Sequence, residues 1–239
     1  MPSKQEKFAD FETFKNCFSF FFQNLEAGFP LKGKWRRDYF KNNNPLVLEL
    51  GCGKGEYTIG LATEHAENNY IGVDVKGNRI WTGATQALER KLENVGFIRT
   101  RIDFIDYCFD ENEVDEIWIT FPDPQPQSTR KRARLTNPIF LERYRKFLKK
   151  GGLVHLKTDS TSFYEYTLEV IKENNLPVIW QTNNLYQHCP AHRQELITIK
   201  THYEKLFTEK GEDIKYVCFK LSWKQLSPFF LPPHFLALF

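Results

Sequence analysis

The sequence lacks any apolar run that approaches the roughly 20 residues needed to span a bilayer. The phenylalanine-rich patch at 18–22 lies among charged residues and does not have the layout of a signal peptide. The cysteines are odd in number and show no paired spacing, namely Cys17, Cys52, Cys108, Cys189 and Cys218. Such a set argues against a disulfide framework. We therefore expect a cytoplasmic protein with no membrane association.

Internal repeats and low-complexity tracts are also absent. The hydrophobic share of 41% and the charged share of 26% are ordinary for a soluble globular chain, which excludes collagen-like and wholly disordered classes. A chain of 239 residues fits one large domain, or one domain with a modest appendage. A domain of that size buries about 70% of its unfolded surface, so it needs no metal or disulfide to fold.

Three segments differ in composition. Residues 1–44 form a predicted N-terminal arm, rich in Phe and Lys, with a short helix around 8–22. Its phenylalanines are spaced for core packing along a helix, with contact to RNA bases as the alternative. Residues 45–226 form the main domain, and the apolar tail 227–239 is expected to pack on that domain or against a second copy.

From residue 45 onward, short apolar segments alternate with helical patterns. Strands are predicted at 46–50, 69–74, 95–99, 116–120, 153–157, 178–181 and 216–223. Helices are predicted at 56–67, 76–93, 138–149 and 162–173, the third of them stopped by Gly151 and Gly152. This alternation predicts an α/β fold with a mostly parallel sheet covered by helices on both faces.

A glycine-rich turn follows the first predicted strand, where doubly wound folds bind nucleotide-like ligands. It contains Gly51, Gly53 and Gly55, and Asp74 ends the next strand at a distance suited to a ribose diol. A dinucleotide fingerprint would need glycine at Glu56, and no lysine followed by Ser or Thr marks a P-loop. The acid Glu49 before the turn suits a ligand with an ammonium group, so S-adenosylmethionine fits best. The alternative is a turn that only lets a helix pack closely on the sheet.

A second motif, with Asp123 between two prolines, follows the strand at 116–120. The prolines stiffen the loop and fix the direction of the carboxylate, although a merely rigid turn is the alternative. Next, residues 127–150 hold nine basic residues against the single acid Glu142, after an acidic stretch at 103–116. Arg130, Arg132 and Arg134 are candidates for binding RNA phosphates, with a solvated surface as the alternative.

Two further motifs follow, a Lys-Thr-Asp at 157–159 and a Thr-His-Tyr-Glu at 201–204. In this order, and together with the glycine loop and the Phe-Pro-Asp-Pro at 121–124, they resemble the bacterial tRNA (guanine-N7)-methyltransferase family. The resemblance extends from about residue 7 to residue 223. It implies a Rossmann-like class I methyltransferase fold with an antiparallel C-terminal strand, S-adenosylmethionine as methyl donor, and a guanine in the variable loop of tRNA as acceptor.

The resemblance also implies roles for individual residues. It places cofactor contacts on the glycine loop and its partners, which are Glu49, Gly51, Gly53, Asp74 and Asp123. It places substrate contacts on the acid of the Lys-Thr-Asp motif, Asp159, and on all four residues of the other motif, which are Thr201, His202, Tyr203 and Glu204. For Asp159, a helix N-cap is the alternative role.

The chain departs from the family pattern at three places. Gln125 occupies the position where the family has Trp. Gln127 replaces a Lys that contacts the substrate in the family. The acid or amide that holds the adenine side in the family aligns with Arg101, so Arg101 and Ile102 are expected to contact the cofactor there, with Asp103 nearby. These departures affect how guanine and adenine are held and remove no reacting group.

The expected chemistry needs no general base, because guanine N7 is a lone-pair nucleophile that carries no proton. Asp123 is therefore expected to act by orienting the base and by stabilising positive charge. No metal is predicted, since His188, Cys189 and His192 lack a fourth ligand. No obligatory protein partner is expected, and the protein is predicted to be a monomer or homodimer. A methyltransferase acting on another substrate and a non-catalytic RNA-binding protein are the competing hypotheses.

Overall fold

The computed structural model of the protein describes residues 2–221, in which eight strands form one sheet. The strands are β1 (Cys17–Ser19), β2 (Leu46–Leu50), β3 (Asn69–Asp74), β4 (Val95–Arg99), β5 (Val114–Thr120), β6 (Leu148–Thr158), β7 (Val178–Thr182) and β8 (Lys215–Lys220). Their order across the sheet is β1-β4-β3-β2-β5-β6-β8-β7. Neighbours are parallel except that β8 runs antiparallel to β6 and β7. The predicted Rossmann-like fold, with its antiparallel C-terminal strand, is confirmed.

The α-helices are α1 (Lys4–Thr13), α2 (Glu56–Glu64), α3 (Gly77–Glu89), α4 (Pro138–Arg145), α5 (Thr161–Glu173), α6 (Leu185–His188), α7 (Glu195–Thr198) and α8 (His202–Glu209). Short 3-10 turns at Phe22–Asn24, Ile102–Tyr107 and Ser128–Ala133, and a π-helical turn at Trp35–Phe40, lie between them. The helices predicted at 56–67, 76–93 and 162–173 are confirmed, with ends shifted by at most four residues.

Two apolar clusters lie on the two faces of the sheet, because successive side chains of a strand point to opposite faces. In β2, Leu46 and Leu48 belong to the cluster that α4 and α5 cover. Val47 belongs to the other cluster, which contains side chains of α1, α2, α3, α6 and α7. Helices on both faces bury both sides of the sheet, which explains why its strands read as continuous apolar runs.

The N-terminal arm differs from the sequence prediction. A capping box of Ser3 and Glu6 begins α1, and the helix ends at Thr13, so the helix predicted at 8–22 is wrong over its second half. Residues 17–19 instead pair in parallel with β4, and Phe20 is fully buried in the core. Alternating aromatic residues favour a strand here once a sheet edge is available to pair with.

The end of α4 also differs from the sequence prediction. The helix predicted at 138–149 ends at Arg145, and β6 already begins at Leu148, so the glycine pair does not terminate a helix. Instead Gly152 passes close to the carbonyl of Asp115, where a Cβ would come within 2.9 Å of the oxygen. The predicted C-terminal tail 227–239 lies outside the described residues. Within residues 2–221, no helix combines the length and the apolar character needed to cross a membrane.

The polypeptide changes direction across the sheet between β2 and β5. From β2 the chain continues outward through β3 to β4, and it then returns to place β5 on the opposite side of β2. Ligands of open α/β sheets bind at the carboxyl ends of the strands beside such a switch point. The loops after β2, β3, β5 and β6 are therefore the candidate ligand-binding segments.

The glycine turn after β2 is packed against α3 through Gly83. A Cβ on Gly83 would lie 2.7 Å from the Lys54 carbonyl oxygen and 3.1 Å from the Gly55 Cα. Because backbone atoms cannot move aside as a side chain can, Gly83→Ala should lower the free energy of unfolding by about 1–3 kcal/mol. Urea denaturation measures this change. Glu89→Ala, at an exposed position of the same helix, is the control; an equal effect of both variants would contradict the close packing.

Candidate active site

The turn after β2 has the left-handed backbone that glycine adopts without strain. Gly51 and Gly53 have φ angles of 77° and 57°, and an added Cβ at either would meet no atom within 4 Å. The amides of Gly51 and Cys52 both donate to the Val73 carbonyl oxygen, at 2.8 and 3.0 Å. The turn is therefore fixed to β3 by its backbone amides, while the space that side chains of its glycines would occupy is open.

Asp74, at the end of β3, is joined directly to this turn. One oxygen of its carboxylate accepts a hydrogen bond from the Gly53 amide at 3.0 Å, and the other accepts one from the Lys76 amide at 2.8 Å. The side chain is half-buried, so part of it remains accessible at the carboxyl edge of the sheet. The structure thus brings together the glycine loop and the acid that the sequence had paired.

Glu49 lies beneath the loop and is buried. Its carboxylate accepts hydrogen bonds from the backbone amide of Thr58 at 2.8 Å and from the Thr58 and Thr120 hydroxyl groups. Burial raises the pKa of Glu49 to about 7, and the nearby charge of Asp74 adds to this rise. The carboxylate therefore links β2, β5 and the first turn of α2, and its contact with a cofactor stays a prediction.

The positions expected on the adenine side follow β4 at the same edge. Arg101 is exposed and forms an ion pair with Asp103, with 2.8 Å between Nη2 and Oδ2. Ile102, partly buried, begins the 3-10 turn Ile102–Tyr107. Because the guanidinium already binds its acidic neighbour, the two side chains largely neutralise each other there.

The loop with Asp123 begins and ends on strained backbone. Phe121 and Gln125 have φ angles of 47° and 45°, which are rare for residues with a Cβ. Asp123 is exposed, and its Oδ1 accepts a hydrogen bond from the Gln125 amide at 3.1 Å. Strain of this kind persists only where surrounding contacts hold it, and it is common at functional sites. The observed geometry agrees with a loop built to present one carboxylate.

Arg134 requires a correction, because the structure contradicts its prediction as a phosphate contact. Its side chain is buried and donates to the carbonyl oxygens of Pro124, Gln125 and Ser162 at 3.1, 3.2 and 3.3 Å. The guanidinium also lies 4.7 Å from the centre of the Tyr166 ring. A side chain used in this way fixes the Asp123 loop to α5 and is not free to meet RNA.

The other basic candidates are placed differently. Arg130 and Arg132 are exposed on the 3-10 turn Ser128–Ala133, directly after the Asp123 loop, and Gln127 before them is exposed as well. Part of the positive charge that the sequence showed at 127–150 is therefore on the surface beside the candidate site. Its contact with RNA phosphates stays a prediction.

The substrate candidates after β6 and at α8 divide into exposed and buried groups. Asp159 is half-buried, and burial raises the pKa of its carboxyl. It does not cap α5, since Ser160 is the N-cap of that helix, so the alternative role is wrong. Thr201 caps α8 by accepting from the amide of Glu204 at 3.1 Å. Glu204 itself is fully buried and forms an ion pair with Lys157, so the structure contradicts its prediction as a substrate contact, for the same reason as Arg134.

His202 and Tyr203 project from the first turn of α8 and are exposed. The backbone amide of His202 donates to Glu56, the residue after the glycine loop, at 2.7 Å. The rings of Tyr203 and Phe207 are stacked with centres 6.4 Å apart, and Phe207 lies equally far from Phe121 of the Asp123 loop. Helix α8 therefore touches both the start of α2, through His202, and the Asp123 loop, through Phe207.

Lys157, Thr58 and Thr120 were missed as site residues by the sequence reasoning. For the two threonines the sequence carries no signal, since their role depends on where Glu49 points. For Lys157 a signal exists, because a lysine at the end of an apolar strand that is covered on both faces needs a partner. Among the described residues, no group of three or more His, Cys, Asp or Glu could hold a metal, and His188 binds Thr182 instead.

Comparisons with known proteins agree with this arrangement. A family model described as "Putative methyltransferase" matches residues 43–217. Solved structures show the fold: "Crystal Structure of 16S rRNA Methyltranferase KamB" superposes with a TM-score of 0.60 at 12% identity, covering 80% of this chain and 93% of that one. "Structure of an Antibiotic Related Methyltransferase" gives a TM-score of 0.56 at 15% identity, covering 77% and 90%.

Curated relatives are much closer in sequence. A tRNA (guanine-N(7)-)-methyltransferase of Bacteroides fragilis is 47% identical over 220 residues, which cover 92% of this chain and 86% of the relative. A protein of the same name from Christiangramia forsetii is 46% identical and covers 92% of this chain and 98% of itself. Identity at this level over nearly the whole length, on a sheet whose glycine loop, paired acid and Pro-Asp-Pro loop share one edge, shows that the chain belongs to the tRNA (guanine-N7)-methyltransferase family.

Proposed function

We propose that this protein transfers a methyl group from S-adenosylmethionine to N7 of a guanosine in the variable loop of tRNA. One observation carries the proposal: at the carboxyl edge of the sheet, α8 contacts both Glu56, the residue after the glycine loop, and Phe121 of the Asp123 loop. A donor site and an acceptor site are thus adjacent in a chain of this family. The relatives named above act on guanine N7 of tRNA, which supplies the substrate class.

The residues around Gly53 fit an S-adenosylmethionine site. Open space above the two glycines lets a ligand approach the backbone closely, and Asp74 offers carboxylate oxygens beside that space. We infer that Asp74 accepts hydrogen bonds from the ribose hydroxyls, and that the adenine lies toward Arg101 and Ile102. Glu49 contributes negative charge beneath the loop, where an ammonium group would be held. The bound cofactor supplies an electrophilic methyl group on a sulfonium.

The acceptor side needs orientation more than proton transfer. Guanine N7 has no proton to lose, so no side chain has to act as a base before the methyl group is transferred. The ring becomes cationic as the bond forms, and the carboxylate of Asp123 stabilises that charge. The same carboxylate can accept hydrogen bonds from the N1–H and amino groups of guanine. Asp159, Thr201, His202 and Tyr203 are proposed to hold the base and its sugar, while Gln127 lies nearer the RNA backbone.

A direct test of the function is methyl transfer from radiolabelled S-adenosylmethionine to bulk tRNA, followed by nucleoside analysis. We expect label in 7-methylguanosine. Label in another nucleoside, or in protein or small molecules only, would favour a methyltransferase that acts on another substrate. Tight binding of tRNA without any transfer would favour a non-catalytic RNA-binding protein.

The cofactor assignment predicts the behaviour of Asp74. Asp74→Ala removes the carboxylate from the ribose and from the Gly53 amide, so S-adenosylmethionine should bind about 10- to 100-fold more weakly, at about 1.4 kcal/mol per factor of ten. Isothermal titration calorimetry on the folded variant measures this loss. Asp38→Ala, an exposed acid on the opposite edge of the sheet, is the control. Unchanged affinity in Asp74→Ala would remove this residue from the site.

The proposed RNA surface predicts different effects on tRNA binding for Arg130 and Arg132, which are exposed, and for Arg134, which is buried. Replacing Arg130 and Arg132 by Ala should weaken tRNA binding and reduce the magnitude of the log–log salt slope by roughly 1–2, because fewer phosphates are neutralised. Adding Arg134→Ala should lower the melting temperature without flattening the slope further, since that side chain is buried. Filter binding over a range of salt concentrations measures the slope.

The matched control replaces two exposed basic residues, Arg37 and Lys150, at the amino edge of the sheet. This control changes the net charge of the protein equally but leaves the proposed RNA surface intact. A salt slope that falls as much in the control as in the Arg130 and Arg132 variant would show that overall charge, and not this surface, binds tRNA.

The mechanism predicts the effect of Asp123→Asn. The amide keeps the shape but removes the charge and turns one acceptor into a donor facing the donors of guanine, so single-turnover transfer should fall about 10²-fold. Proton transfer is not expected, so the wild-type rate should show no acidic limb near pH 7 that vanishes in the variant. Such a limb, or a near-normal rate in the variant, would overturn this role.

A further inference from the structure

Lys157 is a fully buried cation that none of the proposed chemistry uses. It lies near the carboxyl end of β6, and its ammonium forms an ion pair with Glu204, with 2.8 Å between Nζ and Oε1. The same nitrogen donates to the carbonyl oxygens of Leu196 at 2.5 Å and Ile199 at 3.4 Å. Burial lowers the pKa of Lys157, and the charge of Glu204 acts against this. All three hydrogens of the ammonium are thus directed at the chain segment 196–204.

The backbone of Lys157 has a second set of contacts, with the Asp123 loop. Lys157 pairs with Thr120 of β5, and its carbonyl oxygen accepts a hydrogen bond from the Phe121 amide at 2.8 Å. Phe121 is the first residue of the strained loop that presents Asp123. One residue therefore holds the acidic loop by its main chain and the start of α8 by its side chain.

Glu204 is held equally firmly. Its Oε1 also accepts a hydrogen bond from the Tyr186 hydroxyl at 2.8 Å, and its backbone amide donates to Thr201. Its Oε2 is buried and has no hydrogen-bond partner within residues 2–221. A buried carboxylate with one oxygen unpartnered depends on the ammonium beside it, so the ion pair fixes the first turn of α8 to the sheet.

We propose that Lys157 is a positioning residue that sets the distance between the Asp123 loop and the guanine-holding segment 201–204. This inference rests on the proposed function. The reaction gains speed only when the nucleophile and the methyl group are held about 3–3.5 Å apart, and an error of about 1 Å costs about 10²-fold. Without the ammonium, the carbonyls of Leu196 and Ile199 lose their donor, and the segment that follows them loses its fixed position.

A simpler role would be that Lys157 only neutralises the buried charge of Glu204. Lys157→Met alone cannot separate the two roles, because it leaves an unpaired carboxylate in the interior and lowers stability strongly. Glu204→Gln removes that charge, so a second substitution in this background leaves no uncompensated ion. The decisive comparison is therefore between Glu204→Gln and the double variant Lys157→Met, Glu204→Gln.

The experiment measures methyl transfer at saturating S-adenosylmethionine over a range of tRNA concentrations, with single-turnover rates taken at saturating tRNA, together with melting temperature and cofactor affinity by calorimetry. If Lys157 positions the segment, the double variant should be at least about tenfold slower than Glu204→Gln. Its KM for tRNA should stay within about threefold, because phosphate contacts supply most of the affinity. Cofactor affinity should be the same in both variants.

Two results would overturn the inference. One is a double variant as fast as Glu204→Gln, which would show that neutralising the carboxylate is the whole role of Lys157. The other is a folded Lys157→Met variant with a wild-type rate.

The control is Arg36→Met, which removes a cation bound to Asp115 and to the Glu113 carbonyl at the amino edge of the sheet. It should lower the melting temperature while the rate of transfer stays within about threefold, because this edge lies away from the reacting groups. Nucleoside analysis of the wild type is done first. If the wild type forms 7-methylguanosine, equal rates in the variants refute the positioning role alone; if it forms none, the proposed function fails.

Discussion

The carboxylate of Glu49 is the interaction on which the site depends. It lies at the switch point between β2 and β5, where the chain changes direction across the sheet, and it binds one threonine from α2 and one from β5. The turn that begins with Gly51 rises directly above it. A change in this hydrogen-bonded group would therefore move the cofactor loop, the first turn of α2 and the end of β5 together. Because burial brings the pKa of Glu49 near neutrality, the same carboxylate also makes the site sensitive to its electrostatic surroundings.

Around that centre, the donor side and the acceptor side are built by different means. The donor side consists of backbone turns at the ends of β2 and β3, fixed by main-chain amides and one acid. The acceptor side consists of a strained loop and the first turn of a short helix, fixed by two buried cations, Arg134 and Lys157. Buried cations that bind several carbonyl oxygens can hold irregular segments that no strand ladder reaches. The donor side and the acceptor side thus depend on different kinds of contact.

The sequence predicted the elements of the fold well and the roles of single charges less well. Apolar runs such as Leu46–Leu50 lie in strands covered on both faces, so their pattern alone located them. The helix predicted in the arm was partly wrong because the spacing of its phenylalanines fits a helix as well as a strand. Residues 17–19 form a strand because they pair with the edge of β4, which no local pattern shows. Arg134 and Glu204 looked like surface groups by residue type. Their burial depends on contacts with segments far away in sequence, which no local pattern reveals.

The positive φ angle of Phe121 has a consequence for how this position can vary. Glycine would adopt the left-handed backbone at this position at lower cost. It would also lose the ring that packs on Phe207, and with it a contact between the acidic loop and α8. Backbone conformation and side-chain packing therefore favour different residues here, and the protein keeps the ring on a strained backbone. A glycine here would therefore relieve the backbone of the Asp123 loop while it detached that loop from α8.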